Sequence, residues 1–187
     1  MTSSHELKIV FTGPMGAGKT TAIRAISDAP PVSTEVGNHD QKSFAKESTT
    51  VALDYGEVQL GDGTSVRLYG TPGQGRFSFM WDIVGRGALG VILLLDGASP
   101  TALNDLAQFV EVFRRTSPDQ AFVVGVGRLP EDYGAQIEEY TRALLASGVV
   151  APVFAVDVRE RADVLLLIET LLCILETRIP EPDSAIA

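Results

Sequence analysis

The residues best suited to chemistry form one short glycine-rich run at positions 13–20. It reads Gly-Pro-Met-Gly-Ala-Gly-Lys-Thr and fits the phosphate-binding pattern G-x-x-x-x-G-K-[ST]. The glycines let successive backbone N–H groups turn inward and form a concave anion site. Lys19 can reach the β- and γ-phosphates of a nucleotide, and the Thr20 hydroxyl can ligate Mg²⁺. The run therefore predicts a binding site for a nucleoside triphosphate.

The elements on either side of this run favour the same interpretation. Residues 7–11 form a short apolar segment typical of a strand, and residues 21–26 are typical of the first turns of a helix. A strand, a loop and a helix in this order aim the positive end of the helix at the phosphates. A chance glycine-rich turn is the alternative, and both flanking elements argue against it.

Strands and helices alternate along the rest of the chain, which predicts one α/β domain over 1–187, with a core at 7–177 and a flexible tail at 178–187. Residues 50–60 and 64–69 flank a Gly-Asp-Gly turn and predict a β-hairpin. Apolar runs predict three further strands, at 88–95, 121–126 and 152–156. Apolar residues at helical spacing predict that Leu145 is buried. Cys173 lies in the last predicted helix and is expected at or near the core.

Composition limits the partners and the compartment. The net charge of −9 argues against a nucleic-acid backbone or an anionic membrane as the main partner. No apolar run is long enough for a transmembrane helix, and the polar N-terminus has no signal-peptide core. One cysteine cannot form an internal disulfide, which suits a reducing cytoplasm. We therefore expect a cytoplasmic protein without an integral membrane segment.

A second informative run, Gly70-Thr71-Pro72-Gly73-Gln74, follows the hairpin, and Ser-Thr-Thr-Val-Ala-Leu-Asp at 48–54 precedes it. With these runs and the 13–20 loop, the chain resembles small Ras-like GTPases over nearly all of residues 7–177. It is most similar to the bacterial branch that contains MglA-like and Roadblock/LC7-associated GTPases. The resemblance implies a three-layer P-loop NTPase fold (Ras-like G domain) with a six-stranded, mostly parallel sheet and one antiparallel edge strand. It also implies GTP/GDP and Mg²⁺ as cofactors, a Roadblock/LC7-type partner, and switch loops at about 32–50 and 70–86.

The resemblance also assigns roles to single residues. Lys19 and Gln74 would be catalytic, with Gln74 positioning the attacking water, and Thr20 and Thr50 would ligate Mg²⁺, with Thr49 as a register alternative to Thr50. Gly73 would contact the γ-phosphate. Thr50 starting a strand, Gly73 as a turn residue and Gln74 as an exposed polar residue are the simpler alternatives. The full nucleotide-binding set is Gly13, Met15, Gly16, Ala17, Gly18, Lys19, Thr20, Thr21, Thr50, Gly73, Arg128 and Val158.

Two departures from the family pattern affect metal and base recognition. Gly70 stands where most Ras-like proteins have an aspartate that supports Mg²⁺ through water, so weaker magnesium dependence is expected. Residues 127–130 read Gly-Arg-Leu-Pro where the family has Asn-Lys-x-Asp, so the guanine-reading aspartate is missing. Glu131 or Asp132 could replace it, or both could be solvated loop acids. The backbone N–H of Val158 could still contact guanine O6.

A third departure is Met15, where Ras has a small glycine facing the γ-phosphate. A long side chain there can obstruct an incoming arginine finger, so slow intrinsic turnover is expected. The candidate cations from this chain are Lys42, Lys46 and Arg76, each of which could equally be a solvated surface charge. A candidate partner surface on switch II consists of Phe77, Phe79, Met80 and Trp81, and core packing is its alternative.

The sequence thus favours a GTP-binding molecular switch with slow hydrolysis, regulated by a partner protein. A non-catalytic scaffold of the same fold is the first alternative, supported by Gly70, Gly127 and Pro130. An ATPase or small-molecule kinase is the second, and no arginine-rich lid insertion is visible to support it.

Overall fold

We describe the chain from a computed structural model, which covers residues 7–30, 32–36, 51–59, 64–73, 84–116 and 120–178. Several residues with predicted roles lie outside these ranges. They are Lys42, Lys46, Thr49, Thr50, Gln74, Arg76, Phe77, Phe79, Met80, Trp81 and the tail beyond Arg178. Their roles stay predictions, as does the boundary of the single domain.

Within the described residues one sheet contains seven strands. They are β1 (Leu7–Thr12), β2 (Val32–Val36), β3 (Val51–Gln59), β4 (Ser65–Gly70), β5 (Gly90–Asp96), β6 (Ala121–Gly127) and β7 (Val153–Ala155). Their order across the sheet is β2-β3-β4-β1-β5-β6-β7. Strand β3 runs antiparallel to both of its neighbours, and the other described pairs are parallel. The predicted fold class, α/β with a mostly parallel sheet, is confirmed.

Strand β2 is the one strand that the sequence did not predict. All six predicted strands are present, but β2 pairs with the outer side of β3, from Val32 opposite Tyr55 to Val36 opposite Val51. The reason is physical: β3 at the edge would expose a row of unpaired N–H and C=O groups. The segment Val-Ser-Thr-Glu-Val is rich in β-branched residues that suit a strand. The first part of the predicted switch I is therefore extended structure.

Helices cover both faces of the sheet. The described helices are α1 (Lys19–Ile26), α2 (Ala102–Thr116), α3 (Gly134–Ala146) and α4 (Arg161–Glu176). Helices α1 and α4 enclose one core with Ile9, Phe11 and Leu94, whereas α2 and α3 enclose the other with Leu93 and Leu95. Strand β5 supplies alternate residues to the two cores, because its side chains point to opposite faces in turn. This continuous burial explains its nearly unbroken apolar sequence.

Two expectations about burial were wrong. Cys173 is exposed, because the buried stripe of α4 runs through Val164, Leu167, Ile168 and Leu171 and leaves position 173 on another face. Leu145 is 54% exposed, since the buried residues of α3 are Tyr140 and Leu144. No helix in the described ranges has the length and hydropathy needed to cross a membrane.

The topology brings several loops to one edge of the sheet. Parallel strands β1, β4, β5, β6 and β7 all end there, and β1, β4, β6 and β7 are each followed by residues that the sequence singled out. Ligands of open α/β sheets bind at the carboxyl ends of the strands. The candidate site therefore lies at this edge.

Candidate functional site

The 13–20 loop connects β1 to α1 and encloses the start of the helix. Its conformation depends on glycine at Gly13 and Gly18, whose φ angles are 137° and 94°. A Cβ at Gly13 would lie 2.0 Å from the Leu94 carbonyl oxygen, and one at Gly18 would lie 2.7 Å from a methyl carbon of Val158. Side chains at these two positions would push the loop off the sheet edge, so these positions require glycine.

Lys19 lies inside this loop rather than on the surface. The residue is 8% exposed, and its Nζ donates hydrogen bonds to the carbonyl oxygens of Gly13 and Pro14, both at 2.7 Å. Burial lowers the pKa of Lys19 from 10.5 to about 8, and the nearby Asp54 carboxylate partly opposes that shift. A bound phosphate group would supply negative charge next to the buried ammonium.

Asp54 is a site residue that the sequence reasoning missed. It lies on β3 directly opposite Gly70 of β4, and its Oδ2 accepts a hydrogen bond from the Thr20 hydroxyl. A Cβ at Gly70 would lie 3.0 Å from the Asp54 Cβ and 3.3 Å from its Oδ2. Asp54 therefore occupies the space that a side chain at Gly70 would need.

The expected weaker magnesium dependence stays a prediction, but the geometry removes one premise behind it. That expectation assumed that Gly70 leaves the site without a carboxylate, whereas Asp54 places one against Thr20. Hydroxyl and carboxylate oxygens are the hard ligands that Mg²⁺ prefers, so the residues present fit this ion. No cluster of three or more His, Cys, Asp or Glu side chains occurs in the parts of the chain that the structure describes, so phosphate and water oxygens would complete the ligand set.

The segment after β4 packs directly against the phosphate loop. Thr71 is buried, its N–H donates to the Phe11 carbonyl at 2.9 Å, and its hydroxyl lies 2.9 Å from that of Thr12. A Cβ at Gly73 would lie 2.4 Å from the backbone nitrogen of Met15. Gly73 therefore stands beside the mouth of the loop, where the resemblance assigns it a γ-phosphate contact.

A cleft of about 680 Å³ continues from the phosphate loop along the ends of β5, β6 and β7. Predicted site residues on its wall are Ala17, Gly18, Thr21, Arg128 and Val158. Four carboxylate side chains also line it, from Asp96, Glu131, Asp157 and Asp163. The cleft is large enough for a nucleoside and begins where the phosphates would end.

Arg128 joins the cleft wall to the phosphate loop. Its guanidinium forms an ion pair with Asp96 and donates a hydrogen bond to the Gly16 carbonyl at 3.1 Å. Its φ of 55° makes it the one non-glycine residue in the described ranges with a left-handed backbone. Such a conformation persists where surrounding contacts enforce it, often at functional sites.

The loop after β7 forms the other wall. Val158 contacts Gly18, as the 2.7 Å approach of a Gly18 Cβ to its methyl carbon indicates. The Asp157 backbone N–H donates to an Asp163 carboxylate oxygen at 2.8 Å. The Asp157 carboxylate accepts hydrogen bonds from the Arg159 guanidinium, at distances from 2.5 to 3.1 Å. These hydrogen bonds lower the Asp157 pKa to about 2.

The structure thus brings most of the predicted set together. The described members, which are Gly13, Met15, Gly16, Ala17, Gly18, Lys19, Thr20, Thr21, Gly73, Arg128 and Val158, lie in the loop or along the cleft. Thr50 and Gln74 fall outside the described residues, so their positions stay untested. No local pattern marks Asp54, because its role depends on which residue of β4 it faces.

Comparison with known proteins indicates a distant relation to Ras-related proteins. No protein-family model matches the chain. The chain is 30% identical over 100 residues to an uncharacterised protein of Methanocaldococcus jannaschii, covering 54% of this chain and 57% of that protein. It is 27% identical over 133 residues to the human Ras-related protein Rab-40A-like, covering 70% of this chain and 44% of that protein. The chain therefore spans about half the length of the curated relatives it matches.

Proposed function

We propose that this protein is a GTP-binding molecular switch that hydrolyses GTP slowly and is regulated by a partner protein. One observation carries the proposal: the buried Lys19 ammonium lies within a glycine-dependent phosphate loop, next to the Thr20–Asp54 pair. The distant relation to a Ras-related protein supports the choice of GTP over other triphosphates. The cleft past Arg128 has the volume for the nucleoside.

The residues of the loop would divide the work of binding. Backbone N–H groups of the loop and the Lys19 ammonium would hold the β- and γ-phosphates. Mg²⁺ would be held by Thr20, with Asp54 accepting a hydrogen bond from that hydroxyl or from an ion-bound water, and with Thr50 as the predicted further ligand. When bound, the ion neutralises charge on the phosphates.

Hydrolysis would rely on positioning and charge neutralisation. A water oxygen forms a bond to the γ-phosphorus while the bond to the β–γ bridging oxygen breaks, and GDP leaves with that electron pair. Protons of the attacking water pass to the released phosphate and to solvent. Lys19 neutralises the phosphate oxygens, and Gln74 is the residue proposed to orient the water.

Slow turnover is proposed from Met15. This side chain is 74% exposed, and its backbone contacts Gly73 at the mouth of the loop. A side chain of this length covers the approach that an activating arginine would take. The proposed regulator, of the Roadblock/LC7 type that the resemblance implies, would therefore have to displace Met15 or act without an arginine finger.

Copurification that depends on GTP rather than GDP is the result expected for such a partner.

Calorimetric titration with GDP, GTP, ADP and ATP, with Mg²⁺ and with EDTA, tests the proposal. We expect guanine nucleotides to bind more tightly than adenine nucleotides, with a large loss of affinity in EDTA. Lys19→Ala should weaken binding at least about tenfold, because it removes a charge-assisted contact to phosphate. Lys8→Ala is the matched control, since Lys8 lies near the start of β1 and donates to Arg86.

The other outcomes identify the alternatives. Equal affinity for GTP and ATP would contradict the switch and favour a nucleotidase of relaxed specificity. Absence of binding to all four nucleotides would favour a scaffold that acts by docking. Single-turnover hydrolysis as fast as that of an activated GTPase, about 5 to 20 per second, would contradict slow turnover.

A further inference from the structure

Guanine recognition needs two kinds of partner in the cleft. Guanine O6 accepts a hydrogen bond, whereas N1–H and the 2-amino group donate two. The Val158 backbone N–H can serve O6, because it makes no hydrogen bond within the described residues and lies beside the phosphate loop. The two donors need a carboxylate with both oxygens available, and Pro130 provides none.

Three of the four carboxylates on the cleft wall already have partners. Asp96 binds Arg128 and accepts from the Ala98 N–H at 3.1 Å. Both oxygens of Asp157 accept from Arg159. Asp163 accepts the Asp157 N–H. Each of these three therefore has at least one oxygen already engaged, whereas reading guanine takes both oxygens of one carboxylate.

Glu131 is the carboxylate that remains. It lines the cleft, and it forms no hydrogen bond or ion pair with any described residue. It directly follows Pro130, and its additional methylene lengthens its reach compared with an aspartate. Leu129 anchors the same loop in the core against Gly97, where an added Cβ would lie 2.5 Å from a Leu129 methyl carbon. Asp132, its exposed neighbour, does not line the cleft.

Resting on the proposed function, we propose that Glu131 is the base-reading carboxylate and makes the site selective for guanine. Its two oxygens accept from N1–H and from the 2-amino group, while the Val158 N–H donates to O6. Recognition of the base has therefore moved one residue along the loop rather than being lost.

Exchanging the hydrogen-bond pattern of this side chain tests the assignment. Glu131→Gln replaces one acceptor with an amide donor, which suits xanthine, whose position 2 bears a carbonyl instead of an amino group. We expect this variant to bind GDP about 10- to 100-fold more weakly than wild type and to bind XDP more tightly than wild type does. Asp132→Asn is the matched control and should bind both nucleotides as wild type does.

A second measurement removes the donor from the ligand instead. Wild type should bind IDP, which lacks the 2-amino group, about tenfold more weakly than GDP, and Glu131→Gln should reduce this difference. Unchanged GDP affinity in Glu131→Gln, with equal melting temperatures, would overturn the role of Glu131 while leaving GTP binding intact. Failure of wild type to bind any guanine nucleotide would overturn both proposals.

Discussion

At the scale of single residues, Lys19 is the side chain whose protonation should change when a nucleotide binds. Its ammonium lies against two carbonyl oxygens, and burial lowers its pKa to about 8. Phosphate oxygens favour the charged form, so binding should raise this pKa. The free protein is therefore partly deprotonated above pH 8, and binding must restore the proton.

This linkage predicts proton uptake on binding at alkaline pH. Between pH 8 and 10.5 the affinity for GDP should fall with rising pH, by up to about tenfold for each pH unit. Calorimetry at pH 8.5 in two buffers of different ionisation enthalpy should show uptake of more than half a proton. Lys19→Arg is the control, because a guanidinium does not deprotonate in this range. Zero uptake by wild type would contradict the burial of Lys19.

At the scale of elements, the hairpin of β3 and β4 decides which carboxylate serves the site. Antiparallel pairing places Asp54 opposite Gly70, and the two positions compete for one space next to Ile23 of α1. A side chain is therefore accommodated at one of the two positions. Compared with the Ras-like pattern that the sequence resembles, the carboxylate beside Thr20 comes from β3 instead of β4.

Exchanging the two residues tests this competition. Gly70→Asp alone should destabilise the protein by about 1–3 kcal/mol, because its Cβ would lie 3.0 Å from the Asp54 Cβ and a second negative charge would be added. The double variant Asp54→Gly/Gly70→Asp should be more stable than the sum of the single effects, by at least about 1 kcal/mol. Thermal unfolding of wild type, both single variants and the double variant gives this coupling energy. Additive effects would show that the two positions do not share space.

The same hairpin explains how far the sequence could be interpreted. The phosphate loop was predictable because all of its residues are adjacent in the chain. Asp54 was not predictable, since its position beside Thr20 depends on how β3 pairs with β4. Cys173 was misplaced because α4 is apolar around most of its circumference, so periodicity alone does not identify its buried face.

Strand β2 shows a related difficulty. Its sequence is short and lies within a long polar stretch, so the pattern alone is typical of a loop. It forms a strand because it can pair with the exposed edge of β3. The base side of the site was predictable only in part. The sequence left Glu131, Asp132 or neither as the base-reading acid, and of the two only Glu131 lines the cleft.

At the scale of the whole molecule, the sheet brings the loops of the candidate site together at one edge. The phosphate loop, the Gly70–Gly73 segment and the loops that follow β6 and β7 all meet there, although they come from distant parts of the chain. Contacts between Gly73 and the Met15 backbone connect the phosphate loop to the segment before Gln74. The γ-phosphate of a bound nucleoside triphosphate would therefore contact this segment first.

Hydrogen–deuterium exchange in the GDP state and in the state with a non-hydrolysable GTP analogue tests the switch most directly. Both nucleotides should protect residues 13–20 relative to the free protein. The GTP analogue should additionally slow exchange at residues 70–73, because a γ-phosphate gives the Gly73 N–H a hydrogen-bond acceptor. Identical exchange at 70–73 in the two states would contradict the account, since a switch must differ between its two nucleotides.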